Sequence, residues 1–283
     1  MLFDSGLADS TAVWRLVQSS VAKTTRACTY DRAGYGFSDP PTGPSDANAA
    51  VADLHHLIAN APIAAPIVYV GHSMSGLYGV LLAAAHPNDV AAEVLVDPSF
   101  ANQAFALTAS LSPTERTAWL TSLEGSIAHL KKCAAMQGPL PKDCLGRDSH
   151  PGPGETELAE LEKQRVSRAS YLLANASELE SFIPDHERKS LSQKEVEAVP
   201  PDFGDKPLAI LTHSKSDTYP NFTPSQIAAI EQAWNEGHNR LAGLSRRGGN
   251  TVVPESSHYI QIDQPKAVIE AVLKVVAEVR STH

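Results

Sequence analysis

The sequence predicts an α/β protein with a mostly parallel central sheet, helices on both of its faces and an inserted block of helices. Short β-branched runs alternate with longer helical patterns up to about residue 98, and the alternation resumes near residue 205. Such alternation is typical of parallel sheets that are buried on both faces. Between 99 and 204 the strand signal is absent. We therefore divide the chain into a discontinuous core, 1–98 and 205–283, and a helical insertion, 99–204.

Seven elements are expected in the first part of the core. Its strands are short apolar runs, and its helices carry apolar residues three or four positions apart. In order, we expect a strand at 1–4, a helix at 11–23, a strand at 25–30, a helix at 46–60, a strand at 67–70, a helix at 75–85 and a strand at 94–96. Pro87 ends the last of these helices, because proline cannot continue the hydrogen-bonding pattern.

The insertion and the second part of the core have their own signals. Ser112-Pro113-Thr114-Glu115 supplies a capping serine, a proline in the first turn and an acid at the position that completes a capping box. A second helical stretch follows residue 154, and the Pro- and Gly-rich segment 139–154 is expected to be a loop. We then expect a strand at 208–212, a helix at 224–244, a strand at 251–253 and a helix at 265–280.

Charge and composition limit the partners and the compartment. The 283 residues include 23 Lys and Arg against 32 Asp and Glu, a net charge of −9 at pH 7. An acidic surface repels nucleic acid and anionic lipid, so neither is an expected partner. No apolar run reaches the roughly 20 residues of a membrane span, and no signal-peptide pattern is present. A soluble, cytoplasmic protein is expected from the sequence as given, and a truncated N-terminus would leave a periplasmic or secreted location open.

The chain has three cysteines, which are too few for a fold held together by disulfides. Cys133 and Cys144 lie on either side of a turn-forming stretch that contains Gly138, Pro139 and Pro141. A bridge that closes a small loop and a pair of unpaired thiols are both compatible with this spacing. A bridge would indicate that the protein matures in an oxidising compartment.

The segment 67–76 combines a buried strand, a tight turn with Ser73 at its apex and the start of a helix. A serine on such a turn is typical of a nucleophile, and it needs small residues two positions before and after it. Gly71 meets the first requirement. Ser75 occupies the second position, where glycine is usual, and Gly76 follows one place later. The placement between a strand and a helix therefore indicates a nucleophile more strongly than the residue pattern does.

A serine nucleophile needs an imidazole to accept its proton and a carboxylate to orient that imidazole. His258 follows the short strand at 251–253, and Asp217 lies just beyond the strand at 208–212. Asp97, at the end of the strand at 94–96, is a second candidate for the acid. The chain order Ser73, Asp217, His258 is that in which one large group of serine hydrolases carries its catalytic triad.

Four segments resemble the α/β-hydrolase superfamily, in the group of cofactor-free haloperoxidase-like esterases and proline iminopeptidase-like enzymes. These segments are 4–10 (DSGLADS), 30–39 (YDRAGYGFSD), 71–76 (GHSMSG) and 257–265 (SHYIQIDQP). The insertion resembles the helical cap of that superfamily. The resemblance implies the α/β-hydrolase fold, in which two further strands usually precede the one at 1–4. We therefore expect a truncated or unusually short start.

The resemblance also implies roles for individual residues. Ser73 would be the nucleophile, His258 the general base and Asp217 its orienting acid. Asp97 is the alternative acid, because some members of the superfamily carry the carboxylate at that strand.

The oxyanion hole is expected from two backbone N–H groups. Met74 at the helix start would supply one, and Leu7 the other, although Ser5 stands where the superfamily often has histidine. Arg32 and His72 are interpreted as structural residues.

No cofactor and no metal ion are expected. Gly34 and Gly36 resemble part of a dinucleotide fingerprint, but Asp39 occupies the third glycine position. His55 and His56 are adjacent on a helix and point in different directions, so they do not form a metal pair.

A serine at the turn implies acyl transfer, whereas superfamily epoxide hydrolases and dehalogenases use an aspartate there. The expected function is hydrolysis of a small-molecule carboxylic ester through an acyl-enzyme. A proline iminopeptidase-like aminopeptidase is an alternative, in which Glu178, Glu180 or Asp185 of the cap would hold a substrate ammonium. A non-catalytic binding protein with a hydrolase fold is a further alternative.

Overall fold

In the part of the chain that the structure describes, the central sheet has six parallel strands. The structure, a computed structural model, describes residues 1–145, 151–152, 154–184, 189–216 and 222–281. The strands are β1 (Leu2–Asp4), β2 (Cys28–Thr29), β3 (Ile67–His72), β4 (Val90–Val96), β5 (Leu208–Thr212) and β6 (Gly248–Val252). They lie in the order β2-β1-β3-β4-β5-β6, and every neighbouring pair is parallel. The predicted α/β class and α/β-hydrolase fold are confirmed.

Helices cover both faces of this sheet. They are α1 (Arg15–Val21), α2 (Ala47–Asn60), α3 (Met74–Ala85), α4 (Gln103–Leu107), α5 (Pro113–Ala134), α6 (Thr156–Val166), α7 (Ala169–Phe182), α8 (Leu191–Ala198), α9 (Pro224–Ala242), α10 (Ile260–Asp263) and α11 (Pro265–Ser281). On one face α2, α3 and α9 bury residues such as Leu54, Leu77 and Leu241. On the other face α1 and α11 bury residues such as Val17 and Val272. The two apolar layers keep β1, β3, β4 and β5 away from water, whereas the edge strands β2 and β6 are partly or largely exposed.

The described secondary-structure elements of the inserted segment between β4 and β5 are the helices α4 to α8 and one short 3-10 helix, joined by loops. The helix start predicted at Ser112 forms the expected capping box, in which the Ser112 N–H donates to Glu115 at 2.7 Å. Helix α5 packs against α7. The division of the chain into a core and a cap domain stays a prediction.

A disulfide joins Cys133, near the end of α5, to Cys144 in a short 3-10 helix, Lys142–Cys144. Both half-cystines are buried, and Cys28 is a free thiol. The bridge is therefore the arrangement found among the two that the sequence left open. None of the described helices combines the length and apolar character needed to cross a bilayer.

Candidate active site

The active-site candidates gather where the strands end. Ser73 follows β3, Asp97 follows β4, and His213 follows β5. His258 lies in the loop between β6 and α10. In an open parallel sheet, the loops at the carboxyl ends of the strands form the ligand-binding edge, so the topology alone brings these residues together.

Ser73 sits on a strained turn between β3 and α3. Its φ of 55° and ψ of −121° are unusual for a residue with a side chain. The turn approaches the loop after β4 closely: a Cβ at Gly76 would lie 2.2 Å from Cβ of Pro98. Ser75 is buried, and its hydroxyl lies 2.8 Å from the carbonyl oxygen of His72 and 3.0 Å from that of Asp4. The serine in place of the usual glycine thus binds the backbone at the end of β3 and at the end of the neighbouring strand β1.

His258 links the serine to a carboxylate. Its Nε2 is 2.9 Å from Oγ of Ser73, and its Nδ1 is 2.6 Å from Oδ2 of Asp97. Because an ionised carboxylate can only accept, Nδ1 carries the proton and Nε2 is free to accept the serine proton. This is the hydrogen-bond order of a serine-histidine-acid triad.

Asp97 is the carboxylate in contact with His258, and Asp217 lies outside the described residues. Oδ1 of Asp97 accepts from the backbone N–H of His213 at 3.1 Å and from Nε1 of Trp234 at 3.0 Å. Oδ2 accepts from Nδ1 of His213 at 2.7 Å as well as from His258. Burial favours the neutral acid, but the bonds from His213 and His258 outweigh it and hold the pKa of Asp97 well below its usual range. The carboxylate that contacts His258 is therefore Asp97, which the sequence suggested as the alternative acid.

Met74 and Leu7 are the residues expected to supply the N–H groups of the oxyanion hole. Met74 is the first residue of α3, and an N–H at that position has no acceptor within its own helix. Leu7 lies in the loop after β1 and lines the same cavity as Ser73 and His258. The roles of Met74 and Leu7 in the oxyanion hole stay predictions.

Arg32 holds the loop that carries Leu7. Its Nη1 donates to the carbonyl oxygen of Ser5 at 2.5 Å, and its Nη2 donates to that of Gly6 at 2.9 Å. The same guanidinium pairs with Asp4 at 2.6 Å and with Glu178 of α7 at 2.7 Å. One buried cation thus fixes the loop after β1 and ties α7 to the core. The expectation that Arg32 is structural did not include these partners, which are distant in the sequence.

A cavity of about 320 Å³ lies above the serine. It is lined by Leu7, Ala8, Asp9, Ser73, Asn175, His258 and Tyr259. Asn175 comes from α7, so the inserted segment contributes to the wall. The volume is that of a pocket for a small molecule.

His72 packs beside the histidine of the site. Its ring centroid is 4.8 Å from that of His258, and its Nε2–H donates to the carbonyl oxygen of His258 at 3.0 Å. Burial lowers the pKa of the His72 ring. This contact supports the interpretation of His72 as a neighbour that holds the loop of His258.

The described residues contain three clusters with metal-ligand chemistry. His129 lies beside Cys133 and Cys144, whose sulfurs are consumed by the disulfide. The rings of His55 and His86, which lie near Asp89, are stacked with centroids 3.9 Å apart and planes 12° apart. Parallel stacked rings cannot both place a lone pair on one ion.

The third cluster consists of Asp97, His213 and His258 in the site itself. In this cluster the Nδ1 atoms of both histidines carry protons that they donate to Oδ2 of Asp97. Those nitrogens therefore have no lone pair to offer a metal ion. None of the three clusters fits a resident ion as it stands.

The fold and the serine-histidine-carboxylate geometry define the class of the α/β hydrolases. A model of the family described as "Alpha/beta hydrolase family" matches residues 1–271, and the chain belongs to that family. Membership supports a hydrolase and leaves the bond that it cleaves open.

Known proteins resemble the chain over nearly its whole length. It is 22% identical over 276 residues to an uncharacterised protein of Bacillus subtilis, YqjL, covering 97% of this chain and 82% of the relative. A mutant of a putative epoxide hydrolase from Pseudomonas aeruginosa matches with a TM-score of 0.65 and 16% identity, covering 99% of this chain and 88% of that one. A structure from a study of carboxylesterases of the Thaumarchaeon Nitrososphaera gargenis matches with a TM-score of 0.60 and 14% identity, covering 100% and 91%. At these identities the structural matches show the fold.

Proposed function

We propose that the protein is a serine hydrolase that cleaves carboxylic esters of small molecules. The observation that carries the proposal is the continuous relay from Ser73 through His258 to Asp97, beneath a cavity of about 320 Å³. Asp97 takes the role of the acid for which Asp217 was the first expectation.

The reaction follows from the positions of these groups. Oγ of Ser73 attacks the ester carbonyl carbon while Nε2 of His258 takes the hydroxyl proton. Asp97 stabilises the imidazolium that forms, and the N–H groups of Met74 and Leu7 stabilise the oxyanion. The intermediate collapses when His258 returns the proton to the departing alcohol oxygen. A water molecule, activated by the same histidine, then releases the acid and regenerates the serine.

The nucleophile separates this proposal from epoxide hydrolysis, despite the structural neighbour of that description. In the resemblance stated above, epoxide hydrolases carry an aspartate at the position of Ser73, and its carboxylate forms the ester intermediate. Serine chemistry needs an acyl carbon as the electrophile.

The aminopeptidase alternative loses support from the contacts of the cap acids. Glu178 is occupied by Arg32 and by the Tyr35 hydroxyl, which donates at 2.7 Å. Glu180 pairs with Lys131 at 2.5 Å on the surface. Asp185 lies outside the described residues. Neither described acid is therefore free to bind a substrate ammonium.

Labelling with a fluorophosphonate probe tests the proposal. The wild-type protein should be labelled and should hydrolyse p-nitrophenyl esters of short acids, and Ser73→Ala should lose both properties. Ser126→Ala is the matched control, because this exposed hydroxyl bonds only within α5 among the described residues. Folded wild-type protein that neither reacts with the probe nor cleaves an ester would favour the non-catalytic alternative. Cleavage of proline-β-naphthylamide in preference to the esters would favour the aminopeptidase.

A further inference from the structure

A second histidine contacts the acid of the proposed triad. His213 directly follows β5 and is buried. Its Nδ1 lies 2.7 Å from Oδ2 of Asp97, the oxygen that also binds His258. Its Nε2 lies 2.8 Å from Oε2 of Glu231 on α9. The relay therefore continues beyond Asp97 to a second carboxylate.

The protonation state of the His213 ring follows from these distances. Each ring nitrogen faces a carboxylate oxygen at hydrogen-bonding distance, and an ionised carboxylate has no proton to donate. Both nitrogens must therefore carry a proton, so the ring is an imidazolium between two anions. Burial opposes that charge, but the hydrogen bonds to Asp97 and Glu231 outweigh it and raise the pKa of His213 to about 10.

Other titratable groups around the two rings do not change this assignment. Burial lowers the pKa of His238 on α9 to about 4, so that ring is neutral at ordinary pH. His72 packs against His258 and lies 3.6 Å from Asp9. Lys215 follows in the same loop, where it pairs with Glu255 at 2.9 Å. The positive charge nearest to His258 is then that of His213, because both rings bind the same oxygen.

We propose that His213 and Glu231 are positioning residues of the active site, a charged pair that fixes the Asp97 carboxylate and opposes protonation of His258 in the resting enzyme. This inference rests on the proposed serine hydrolase function. Asp97 is held by donors on both sides, which keeps its Oδ2 aimed at Nδ1 of His258. The imidazolium partly cancels the attraction of Asp97 for a proton on His258.

The sign of the effect differs for the two members of the pair. His213→Asn removes a positive charge and leaves Glu231, so His258 should hold its proton more tightly. The acid limb of kcat/KM should then move to higher pH. Glu231→Gln removes a negative charge while His213 stays protonated on Asp97. The acid limb should then move to lower pH. Each shift should be about 0.5 to 2 pH units, the range for unit charges a few ångströms apart at effective dielectric constants between protein and water.

The experiment is the pH profile of kcat/KM for a p-nitrophenyl ester, measured for the wild type, both single variants and the double variant. The double variant removes the whole pair, and because His213 lies nearer to His258 than Glu231 does, its acid limb should lie above that of the wild type and below that of His213→Asn. Glu236→Gln is the matched control on α9, because its exposed carboxylate accepts only from Gln232 among the described residues. A purely structural role would lower kcat without opposite shifts of the limb.

If the acid limbs of the two single variants shift in the same direction, or do not shift, the inference is overturned. The proposed function still stands in that case, provided that the wild type hydrolyses the ester. If His213→Asn does not fold, Glu231→Gln alone decides, because Glu231 is partly exposed and its replacement is isosteric. If the wild type cleaves no ester, the proposed function fails. NMR of histidine-labelled protein then still tests the charged pair: a neutral His213 ring at neutral pH would overturn it, and a doubly protonated ring would support it.

Discussion

At the scale of single residues, the identity of the carboxylate that contacts His258 could not be decided from the sequence. Asp97 directly follows β4, whereas Asp217 lies five positions after the end of β5. Both are carboxylates near the ends of neighbouring strands. The choice between them depends on which strand end faces the loop of His258, and that loop is 161 residues from Asp97 along the chain. Periodicity and motif spacing carry no information about such a contact.

The first prediction separates the two acids. Asp97→Asn should lower kcat for ester hydrolysis by about 10⁴-fold, because the wrong histidine tautomer would face the serine. Asp217→Asn should stay within about threefold of the wild type, below the change expected for loss of a proton-transfer group. Steady-state kinetics with circular dichroism to verify folding provides the measurement. The reverse ranking of the two variants would assign the acid to Asp217.

Ser75 illustrates a smaller departure at the same scale. The usual pattern has glycine there because strand and helix approach closely. The Ser75 side chain is fully buried. Its hydroxyl points towards backbone carbonyl oxygens and lies 3.0 Å from the carbonyl oxygen of Asp4, so the buried polar group has a partner. A hydroxyl is the smallest side chain that can both fit and bond at this point. The sequence therefore signalled the turn despite the missing glycine.

At the scale of elements, one buried ion pair fixes α7 to the sheet. Glu178 and Arg32 are both buried and are 146 residues apart along the chain. Buried charges of this kind must remain paired, because an unpaired charge in the interior is strongly unfavourable. Since Arg32 also holds Ser5 and Gly6, the position of α7 and the geometry of the expected oxyanion hole depend on the same side chain.

The second prediction tests this tether. Glu178→Gln should lower the free energy of unfolding by about 2 to 3 kcal/mol, the value of charged hydrogen bonds in the interior. Glu180→Gln, two residues along the same helix, is the control. Its pair with Lys131 is half exposed and should contribute less than about 1 kcal/mol. Urea denaturation measures both. If Glu178 instead bound a substrate ammonium, its replacement would leave stability unchanged and abolish peptide cleavage alone.

At the scale of the whole molecule, the central sheet contains a carboxyl group that the proposed chemistry does not use. Glu93 lies on β4 and is fully buried, and neither of its carboxylate oxygens has a hydrogen-bond partner among the described residues. Burial raises its pKa to about 8, an effect that Lys206 partly offsets. The group is therefore protonated in the folded protein at neutral pH.

The third prediction concerns stability against pH. The folded-state pKa lies above the ordinary value of 4.5, so the contribution of Glu93 is fully present below pH 4.5 and is lost as the pH rises to about 8. Between these two pH values, the contribution of Glu93 to the free energy of unfolding should fall by about 1.4 kcal/mol for each pH unit. Glu93→Gln should lack this component and should become more stable relative to the wild type as the pH rises. Denaturation curves that run parallel for the two proteins would show that Glu93 is ionised in the fold.

Most of the architecture followed from the sequence, because its signals are local. The alternation of apolar runs and helical patterns predicted all six strands, and Ser112 and Pro113 located the start of α5. The sequence suggested Asp97 as the alternative acid, after Asp217. Long-range partners were missed: the pair of Arg32 with Glu178, and the extension from Asp97 to His213 and Glu231. His213 did carry a signal, since it directly follows a strand that ends at the functional edge of the sheet.

In the proposed mechanism Ser73 forms a covalent acyl-enzyme. Rapid acid quenching of the protein with a p-nitrophenyl ester, followed by intact and peptide mass spectrometry, tests it most directly. We expect one added acyl group per chain, located on the peptide that contains Ser73 and absent in Ser73→Ala. Turnover of the ester with no adduct on that serine, or with an adduct on another residue, would contradict it.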